Sequence, residues 1–472
     1  MPTQRGVMVA PDPIRLGLRM YDLLIHNAWV VTVNTQGDVI PDGMIGIHGD
    51  VIAHIGPRPP DAALPAARET IDAGQGIVLP GLVNAHTHLP MTVFRGMADD
   101  LPLQAWLEDH IFPAEAAHIT PHTVHWGTLL GCAEMLLAGI TTCCDGYFLE
   151  DAVARAVAMT GMRAVLGQGV IDFPAPGVPD PAENVRTAAV FVRQWKHRSP
   201  LITPSVFCHS PYTCGDKTLS RAKKAAADEG VLFQIHVAET REETPANGDR
   251  TPNGSLTARL AQLGLLDADT LLVHGVWLDP TDIERIAQNG CGIAHCPESN
   301  MKLAAGIAPV QAFLQAGIPV GIGSDGCASN NNQDLLREMD MAAKLHKVAG
   351  GGPTTMPAPQ VLALATRDGA RAIGLGDQIG TIEKGKQADL AILDSTHPAM
   401  CPIYNPVSQA VYAGSGDIVR DTIVAGRVRV RNRTVVDSHI DEIMKQVRAI
   451  GRAIVKPPIH RLITDTEKGP CP

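Results

Sequence analysis

The stretch "IVLPGLVNAHTH", residues 77–88, is an apolar run that ends on two histidines, His86 and His88. In an extended strand the side chains of residues i and i+2 point to the same side, so two imidazoles there could hold one ion. A solvated strand edge with two histidines gives the same pattern. The pair alone does not decide between a metal site and an exposed edge, so other parts of the chain must.

Seven further apolar runs follow between residues 139 and 326: "GITTCCDG", "RAVLGQGV", "LITPSVFCHSP", "VLFQIHVAE", "TLLVHGVWL", "CGIAHCPESN" and "PVGIGSDG". Longer helical stretches such as "TVHWGTLLGCAEMLLAG" separate many of them. Strand–helix alternation at this spacing favours right-handed βαβ units and a parallel sheet. Eight such units predict an α/β fold, a TIM-type (β/α)₈ barrel, whose active site lies at the carboxyl ends of the strands.

Strand-like segments of another kind lie at both chain ends, from residue 21 to about 77 and again in "GKQADLAILD" and "DIVRDTIVAGRVRVRNRTVV". We predict that they form one discontinuous β-sandwich domain, residues 21–78 and 378–436, beside a barrel of residues 79–377. Residues 1–20 are predicted as an N-terminal tail. Residues 437–472 are predicted as a C-terminal helix, "IDEIMKQVRAIGRAIVK", followed by a polar tail.

The composition excludes several classes of partner. The 472 residues carry 39 Lys and Arg against 49 Asp and Glu, a net charge of −10, which argues against a nucleic-acid groove or an anionic membrane surface. No run approaches the ~20 apolar residues of a membrane helix, and the N-terminus has no signal-peptide core. The ten cysteines are scattered, as in reduced thiols. We therefore expect a cytoplasmic protein.

Polar residues close six of the eight predicted strands, namely His86 with His88, His209, His236, His274, His295 and Asp325. A single histidine beside a strand is more often a hydrogen-bonded core residue than a ligand. Their joint occurrence at ends that converge in a barrel favours a metal centre, because zinc takes three or four imidazole and carboxylate ligands. His86, His88, His236 and Asp325 are the predicted set. Other histidines, His110, His118, His122, His125 and His346 among them, are interpreted as structural.

Several segments resemble the amidohydrolase superfamily: "LPGLVNAHTHLPMTVFRGMADDLPLQAWLEDHIFPAE", "HSPYT", "IHVAET", "VHGVWL", "HCPESNMKLAAG" and "GIGSDGCASNNN". The most similar branch is the 5′-methylthioadenosine/S-adenosylhomocysteine deaminases, with s-triazine hydrolases and cytosine or guanine deaminases as relatives. The match is collinear from about residue 21 to 436. The resemblance implies one divalent metal ion per subunit, zinc with Fe²⁺ as the alternative, on the four ligands above. Two-metal relatives need a lysine after strand four, which "LITPSVFCHSP" lacks. The family also implies a homo-oligomer.

The resemblance implies a hydrolytic deamination at C6 of an adenosine-type nucleoside. A bound Zn²⁺ lowers the pKa of water to roughly 7, and Asp325 would take its proton. Glu239 lies three residues after His236, which places a carboxylate beside the ion as general acid and base. A solvated loop glutamate is the alternative for that position. His274 would orient the water and stabilise charge at the reacting carbon.

The substrate-binding residues are also implied by the resemblance. His209 matches a histidine that hydrogen-bonds the base, Glu115 matches a carboxylate that holds the ribose hydroxyls, and Glu239 contacts the ring. Trp106 is predicted to line the pocket, with a core tryptophan as the alternative. His295 is interpreted as structural.

One stretch departs from the family. Members that accept S-adenosylhomocysteine are expected to carry an arginine after strand three, to pair with the amino-acid carboxylate. Here "GVIDFPAPGVPDPAENVR" has none before Arg186. Either the carboxylate is bound otherwise, or the substrate is smaller, such as 5′-methylthioadenosine or adenosine.

Two alternatives remain from the sequence. The first is a hydrolase of an aminated or halogenated heterocycle such as an s-triazine, which would use the same metal and the same acid. Glu115 favours a ribose-bearing substrate instead. The second is a non-catalytic relative that keeps the barrel as a scaffold, which would be expected to have lost ligands, whereas all four are present with Glu239 and His274.

Overall fold

The computed structural model describes residues 20–59, 63–243, 255–350 and 352–454. Apart from Met20, the predicted N-terminal tail lies outside the described residues, as does the chain beyond residue 454. Within the described part the strands are β1 Tyr21–Val31, β2 Val39–His48, β3 Val51–Pro57, β4 Ala67–Asp72, β5 Ile77–Pro80, β6 Leu82–His88, β7 Ile140–Tyr147, β8 Arg163–Val170, β9 Ile202–Cys208, β10 Phe233–Val237, β11 Thr270–His274, β12 Gly292–His295, β13 Val320–Ile322, β14 Asp325–Gly326, β15 Leu390–Leu393, β16 Val419–Val424, β17 Arg427–Arg431 and β18 Thr434–Val435.

The helices of the described residues alternate with the central strands. They are α1 Leu103–Ala105, α2 Phe112–His118, α3 Pro121–Leu137, α4 Glu150–Thr160, α5 Asn184–Trp195, α6 Asp216–Glu229, α7 Leu256–Gln262, α8 Pro280–Asn289, α9 Pro297–Lys302, α10 Val310–Gln315, α11 Cys327–Asn330, α12 Leu335–Gly350, α13 Ala358–Leu364, α14 Arg367–Ala372, α15 Pro406–Tyr412 and α16 Ile440–Ile454. A π-helical turn, Trp106–Ile111, joins α1 to α2.

Local sequence signals fix the ends of these helices, as α8 illustrates. Asp279 accepts a hydrogen bond from the backbone N–H of Asp282, whose carboxylate accepts from the backbone N–H of Asp279 in return. Pro280 occupies the first helical position, and Gly290 ends the helix with φ +73°. This reciprocal cap satisfies two backbone donors that a helix start leaves unpaired.

The first sheet is built from both chain ends, as predicted. Its strands run in the order β18-β17-β16-β15-β5-β1-β2-β3, and β4 pairs with β1. Alternating Val, Ile and Leu side chains from β1 to β5 and from β15 and β16 share one buried apolar cluster. Two groups of strands that lie some 300 residues apart in the chain therefore form one sheet, and the predicted flanking β domain is confirmed.

The second sheet is the barrel. Strands β6 to β13 are parallel neighbours in chain order, and β14 pairs with β6. Since β13 and β14 are separated only by Gly323 and Ser324, they form one interrupted eighth strand that closes the ring. All eight predicted strands are present, and the (β/α)₈ prediction is confirmed. The exact domain boundaries given above remain a proposal.

Gly323 is required at this closure. A Cβ there would lie 2.9 Å from the backbone nitrogen and oxygen of His86. Real Cβ atoms do not approach backbone atoms so closely, so only glycine lets strand eight pass this near to strand one. The approach brings Asp325 to the side of the barrel that carries His86 and His88.

The barrel and the flanking sheet are joined by a buried ion pair. The Arg163 guanidinium on β8 donates from Nε to Asp389 Oδ2 at 2.8 Å, and from Nη2 to Oδ1 at 3.2 Å. Asp389 Oδ1 also accepts from the backbone N–H of Ala425. A bidentate pair of this kind fixes orientation as well as distance, so the flanking sheet is held in a defined position against the barrel.

The predicted C-terminal helix is present as α16. Its Ile443 packs against Leu129 and Ala156 on the outside of the barrel. Among the described helices, none combines the length and the apolar character needed to span a lipid bilayer. The nine cysteines of the described residues are all free thiols, eight of them buried.

Candidate active site

The carboxyl ends of the barrel strands bring the predicted site residues together. His86 and His88 end β6, His236 lies on β10, and Asp325 opens β14. The three histidines present ring nitrogens that all lie within 4.8 Å of one another. His86 Nε2 is 3.1 Å from His236 Nε2, while Asp325 Oδ1 is 3.6 Å from His86 Nε2 and 3.3 Å from His88 Nε2. We call these four residues the metal cluster.

The donor set fits a divalent cation. Zinc binds imidazole and carboxylate at about 2.0–2.2 Å, so neighbouring ligand atoms of a tetrahedral site lie about 3.4 Å apart. The observed separations of 3.1 to 3.6 Å bracket that value. The His88 ring is fixed from behind, because its Nδ1–H donates to the carbonyl of Gly146 at 2.6 Å. That bond leaves the Nε2 lone pair of His88 for the centre.

The Asp325 carboxylate favours a positive charge beside it, while burial keeps two of the imidazoles uncharged. Burial lowers the pKa of His86 to about 4, and burial together with the neighbouring rings lowers the pKa of His236 well below its usual value. Burial opposes protonation of His88 too, but the adjacent Asp325 carboxylate outweighs it and raises the pKa of His88 to about 9. Two neutral imidazoles and a carboxylate thus surround a place where a cation is stabilised.

Beside the metal cluster lie the two other predicted catalytic residues. His274 Nε2 is 3.6 Å from Glu239 Oε2, and both side chains are almost fully buried. Burial, and then the negative charge of Asp325, raise the pKa of Glu239 well above its ordinary value. Burial lowers the pKa of His274. Burial therefore favours the uncharged form of both groups, and the alternative of a solvated Glu239 is wrong, because its side chain is buried.

Two residues of the site have left-handed backbones. His274 has φ +72° and Asp325 has φ +59°. Such conformations are uncommon outside glycine, and His, Asn and Asp are the residue types enriched in them. Each costs of order 1–3 kcal/mol and persists only where surrounding contacts hold it. Both residues turn away from ideal strand geometry where the strands end.

A narrow cavity leads to the metal cluster, and the remaining predicted residues line it: Trp106, Glu115, His209 and Glu239. The indole Nε1–H of Trp106 is buried and has no hydrogen-bond partner among the described residues. The hydroxyls of Ser210 and Thr213 lie 3.2 and 3.0 Å from His209 Nδ1. Because Nδ1 is engaged there, Nε2 is the nitrogen that His209 can offer to a ligand.

Glu115 has a partner that the sequence did not indicate. The Tyr147 hydroxyl donates to Glu115 Oε1 at 2.6 Å, and both residues line the cavity. Burial raises the pKa of Glu115 to about 7, although the hydrogen bond from Tyr147 acts in the opposite direction. Tyr147 is the last residue of β7, the second strand of the barrel. Its polar side chain at a strand end is the one feature of the sequence that could have indicated a role in the site.

Outside this narrow cavity lies a wider one of about 1240 Å³. The two share five wall residues, Leu103, Leu107, Phe112, Tyr212 and Leu303. The outer cavity is also lined by Trp277 and Arg241, and the Arg241 guanidinium lies 5.6 Å over the Trp277 ring. A ligand that reaches the metal cluster can thus extend outward into a large, partly aromatic space.

His295, interpreted as structural from the sequence, lies on β12, the seventh strand of the barrel, but takes no part in the metal cluster. Its Nε2 is 3.1 Å from His346 Nε2 on α12, and both rings are buried. Burial lowers the pKa of His346 to about 4, and burial together with the neighbouring His346 holds the pKa of His295 well below its usual value. Together the two rings form a neutral, mutually hydrogen-bonded pair.

Comparison with known proteins identifies relatives along nearly the whole chain. The model of the amidohydrolase family matches residues 77–429. A 5-methylthioadenosine/S-adenosylhomocysteine deaminase of Syntrophobacter fumaroxidans is 44% identical over 93% of this chain and 100% of its own length. A 5′-deoxyadenosine deaminase of Methanosarcina mazei is 40% identical over 92% of this chain and 99% of its own length.

Solved structures agree. An adenosine deaminase from Xanthomonas campestris with bound zinc is 37% identical and superimposes with a TM-score of 0.88, over 92% of this chain and 98% of the other. Atrazine chlorohydrolase from Arthrobacter aurescens, complexed with zinc, is 24% identical with a TM-score of 0.82, over 91% and 100% of the two chains. At that lower identity the likeness shows the fold alone.

Proposed function

The chain belongs to the amidohydrolase family, and we propose that it is a hydrolytic deaminase that converts the 6-amino group of an adenosine-type nucleoside to a carbonyl, with release of ammonia. The nucleosides in question are 5′-methylthioadenosine, S-adenosylhomocysteine and adenosine. The observation that carries this proposal is the buried Glu239 carboxyl 3.6 Å from His274 and beside the metal cluster, at the end of a cavity lined by Glu115. The relatives' names point to the same reaction.

Family membership, the three-histidine cluster and the zinc-bound neighbour support a divalent metal. We propose one ion per subunit, zinc rather than Fe²⁺, held by His86, His88, His236 and Asp325. When bound there, such an ion polarises water and makes it nucleophilic at neutral pH. The sequence offers no lysine at the end of strand four, which is why one ion is proposed rather than two.

The chain's own residues would then move the protons. Asp325 accepts a proton from the attacking water. Glu239, protonated because it is buried, donates to a ring nitrogen of the purine as the water oxygen bonds to C6. His274 would accept a hydrogen bond from the attacking water through Nε2 and so orient its oxygen toward C6. Asp325 would then pass its proton to the amino nitrogen, the C6–N bond would break, and ammonia would leave. The proton remaining on the attacking oxygen would pass to Glu239, so that the oxygen becomes the carbonyl of the product and Glu239 is protonated again.

Substrate orientation would come from the cavity walls. His209 would meet the base through Nε2, and the unpaired indole N–H of Trp106 supports a hydrogen bond to a ring or sugar acceptor. Glu115, with one oxygen held by Tyr147, would use the other for the ribose hydroxyls. These assignments carry over the sequence prediction and are supported by the position of all three residues on one cavity.

The 5′ substituent would lie in the outer cavity. With the base against the metal cluster and the ribose at Glu115, the 5′ substituent would extend past the residues that line both cavities and into the outer one. The cavity of about 1240 Å³ has room for substituents of different size. This volume supports a broad range of 5′-substituted adenosines. Arg186, the first arginine after the third barrel strand, is exposed at the start of α5 and does not line either cavity.

The triazine alternative has no feature in its favour. A heterocycle without a sugar has no use for a carboxyl group held by Tyr147, and the triazine hydrolase shares only the fold at 24% identity. The prediction of a homo-oligomer in the cytoplasm stays a prediction.

The test is ammonia release from a panel of 5′-methylthioadenosine, S-adenosylhomocysteine, adenosine, guanine and cytosine, with both chloride and ammonia release measured for a chlorotriazine. We expect turnover of the adenosine compounds, and kcat/KM reduced for 2′,3′-dideoxyadenosine relative to adenosine. A Glu115→Gln variant should lose that preference. Turnover of the triazine alone would contradict the proposed substrate class.

A further inference from the structure

We propose that Ser299 and Asn300, adjacent on α9, are the positioning residues of this site: Ser299 orients Asp325 and Asn300 orients His274. The inference rests on the proposed function, since it assigns how the two residues beside the reacting water are held. Neither residue was singled out by the sequence, although both belong to the quoted segment "HCPESN".

Ser299 holds the carboxylate of Asp325. Its hydroxyl donates to Asp325 Oδ2 at 2.7 Å, and a second hydroxyl, from Ser329, lies 3.1 Å from the same oxygen and 3.0 Å from Ser299 Oγ. The other oxygen, Oδ1, accepts from the backbone N–H of Gly326 at 2.8 Å. A carboxylate bonded on both oxygens cannot rotate about Cβ–Cγ, so Oδ1 stays turned toward His86 and His88.

Asn300 holds the His274 ring. The Nδ1–H of His274 donates to Asn300 Oδ1 at 3.0 Å, and both side chains are almost fully buried. The hydrogen on Nδ1 leaves the lone pair on Nε2, the nitrogen that lies 3.6 Å from Glu239 Oε2. Asn300 therefore selects which ring nitrogen of His274 can accept a hydrogen bond in the cavity.

The position of α9 explains why the adjacent residues Ser299 and Asn300 can contact both Asp325 and His274. Strand β12 lies beside β11, which carries His274, and beside β13, which leads to Asp325. The segment that follows β12 therefore emerges between the two. His274 and Asp325 both have left-handed backbones, φ +72° and +59°, a conformation that needs the support of surrounding contacts. Strand seven thus supplies no metal ligand yet orients residues from both neighbouring strands.

The Ser299 branch predicts weaker metal binding. Removing partners that orient a metal ligand typically costs about 10- to 100-fold in metal affinity or activity. We expect zinc transfer from Ser299→Ala holoprotein to a chelator to show an affinity about 10- to 100-fold lower than in the unchanged protein. Ser205→Ala is the matched control, because Ser205 is equally buried in the barrel but bonds Gln234 instead. Ser329→Ala alone should show a smaller loss.

The Asn300 branch predicts a different signature. Because His274 is not among the proposed metal ligands, Asn300→Leu should retain zinc as the unchanged protein does. Its kcat should fall by up to about 10²-fold, the cost of a misplaced group at the reacting centre, while KM changes little. Asn300→Asp keeps an oxygen in place of Oδ1 and should restore most of kcat. Far-ultraviolet circular dichroism establishes that each variant is folded before it is assayed.

The outcomes distinguish failure of the positioning roles from failure of the proposed function. Zinc retention in Ser299→Ala equal to that in Ser205→Ala, or equal loss of kcat in Asn300→Leu and Asn300→Asp, would overturn the positioning roles while leaving the deaminase intact. If the unchanged protein bound no zinc and released no ammonia, the proposed function would fail and the positioning roles with it.

Discussion

Two buried histidine pairs of this barrel have the same separation and opposite characters. The Nε2 atoms of His86 and His236 are 3.1 Å apart, and so are those of His295 and His346. The first pair has a third imidazole and a carboxylate within reach. Among the described residues, the second pair has no third ligand group of this kind nearby, and its two rings share one hydrogen bond. Ring separation alone therefore does not make a metal site; a third ligand and a negative charge do.

The largest expected effect comes from making the first pair resemble the second. Asp325→Ala removes the carboxylate and leaves imidazoles alone. We expect loss of bound zinc and a decrease in kcat/KM of at least about 10²-fold, the lower end of what an acid–base residue contributes. Metal content by atomic absorption and ammonia release measure the two. His346→Gln is the control and should keep both values; an active, zinc-bound Asp325→Ala protein would contradict the cluster.

The second effect is acid sensitivity of the His295–His346 pair. Burial holds the pKa of folded His346 near 4, against about 6.5 in the unfolded chain. Above pH 6.5 the group contributes nothing to pH dependence. As pH falls below 6.5 the unfolded state binds a proton that the folded state excludes, so the free energy of unfolding decreases by up to about 3 kcal/mol near pH 4. Urea unfolding at pH 7, 6 and 5 should show this slope, and His346→Gln should reduce it.

A smaller effect is expected at neutral pH from breaking the same pair. His346→Leu leaves the Nε2 of buried His295 without a partner, which costs about 1–3 kcal/mol of stability. His346→Gln can still hydrogen-bond that nitrogen and should cost less. Urea denaturation measures both, and zinc content should be unchanged. A His346→Leu protein as stable as the Gln variant would show that the pair is not a hydrogen bond of consequence.

The smallest effect belongs to a histidine that faces solvent. His122 is exposed on α3, with its ring 6.3 Å from Trp126. Substitution to alanine should change the free energy of unfolding by no more than about 0.5 kcal/mol and leave ammonia release as it was. Loss of metal in this variant would contradict the interpretation that histidines outside the strand ends are structural.

The same contrast shows what the sequence could predict. The barrel strands are local apolar runs, and their final residues necessarily meet at one end of a parallel barrel. His86, His88, His236, His274 and Asp325 could therefore be placed from the sequence alone. The joining of the two chain ends in one sheet was also predictable, because both carry the same strand pattern.

What could not be predicted are the hydrogen-bond partners that depend on contacts between a helix and a strand. Tyr147 donates to Glu115 across 32 residues and Ser299 to Asp325 across 26, and nothing local marks either bond. The pairing of His295 with His346 likewise depends on how α12 packs against strand seven. The left-handed backbones at His274 and Asp325 follow from the same tertiary contacts.

The interrupted eighth strand has a consequence for how the protein comes apart. Strand β14 has only two residues, Asp325 and Gly326, and they pair with Thr87 and His88 to complete the ring. Two of these residues, Asp325 and His88, are also among the four proposed ligands of the ion. A cation bound only by the closed ring stabilises closure according to its concentration relative to its dissociation constant. Chelation of the ion should therefore increase amide hydrogen exchange first where β14 pairs with β6, the eighth and first strands of the barrel.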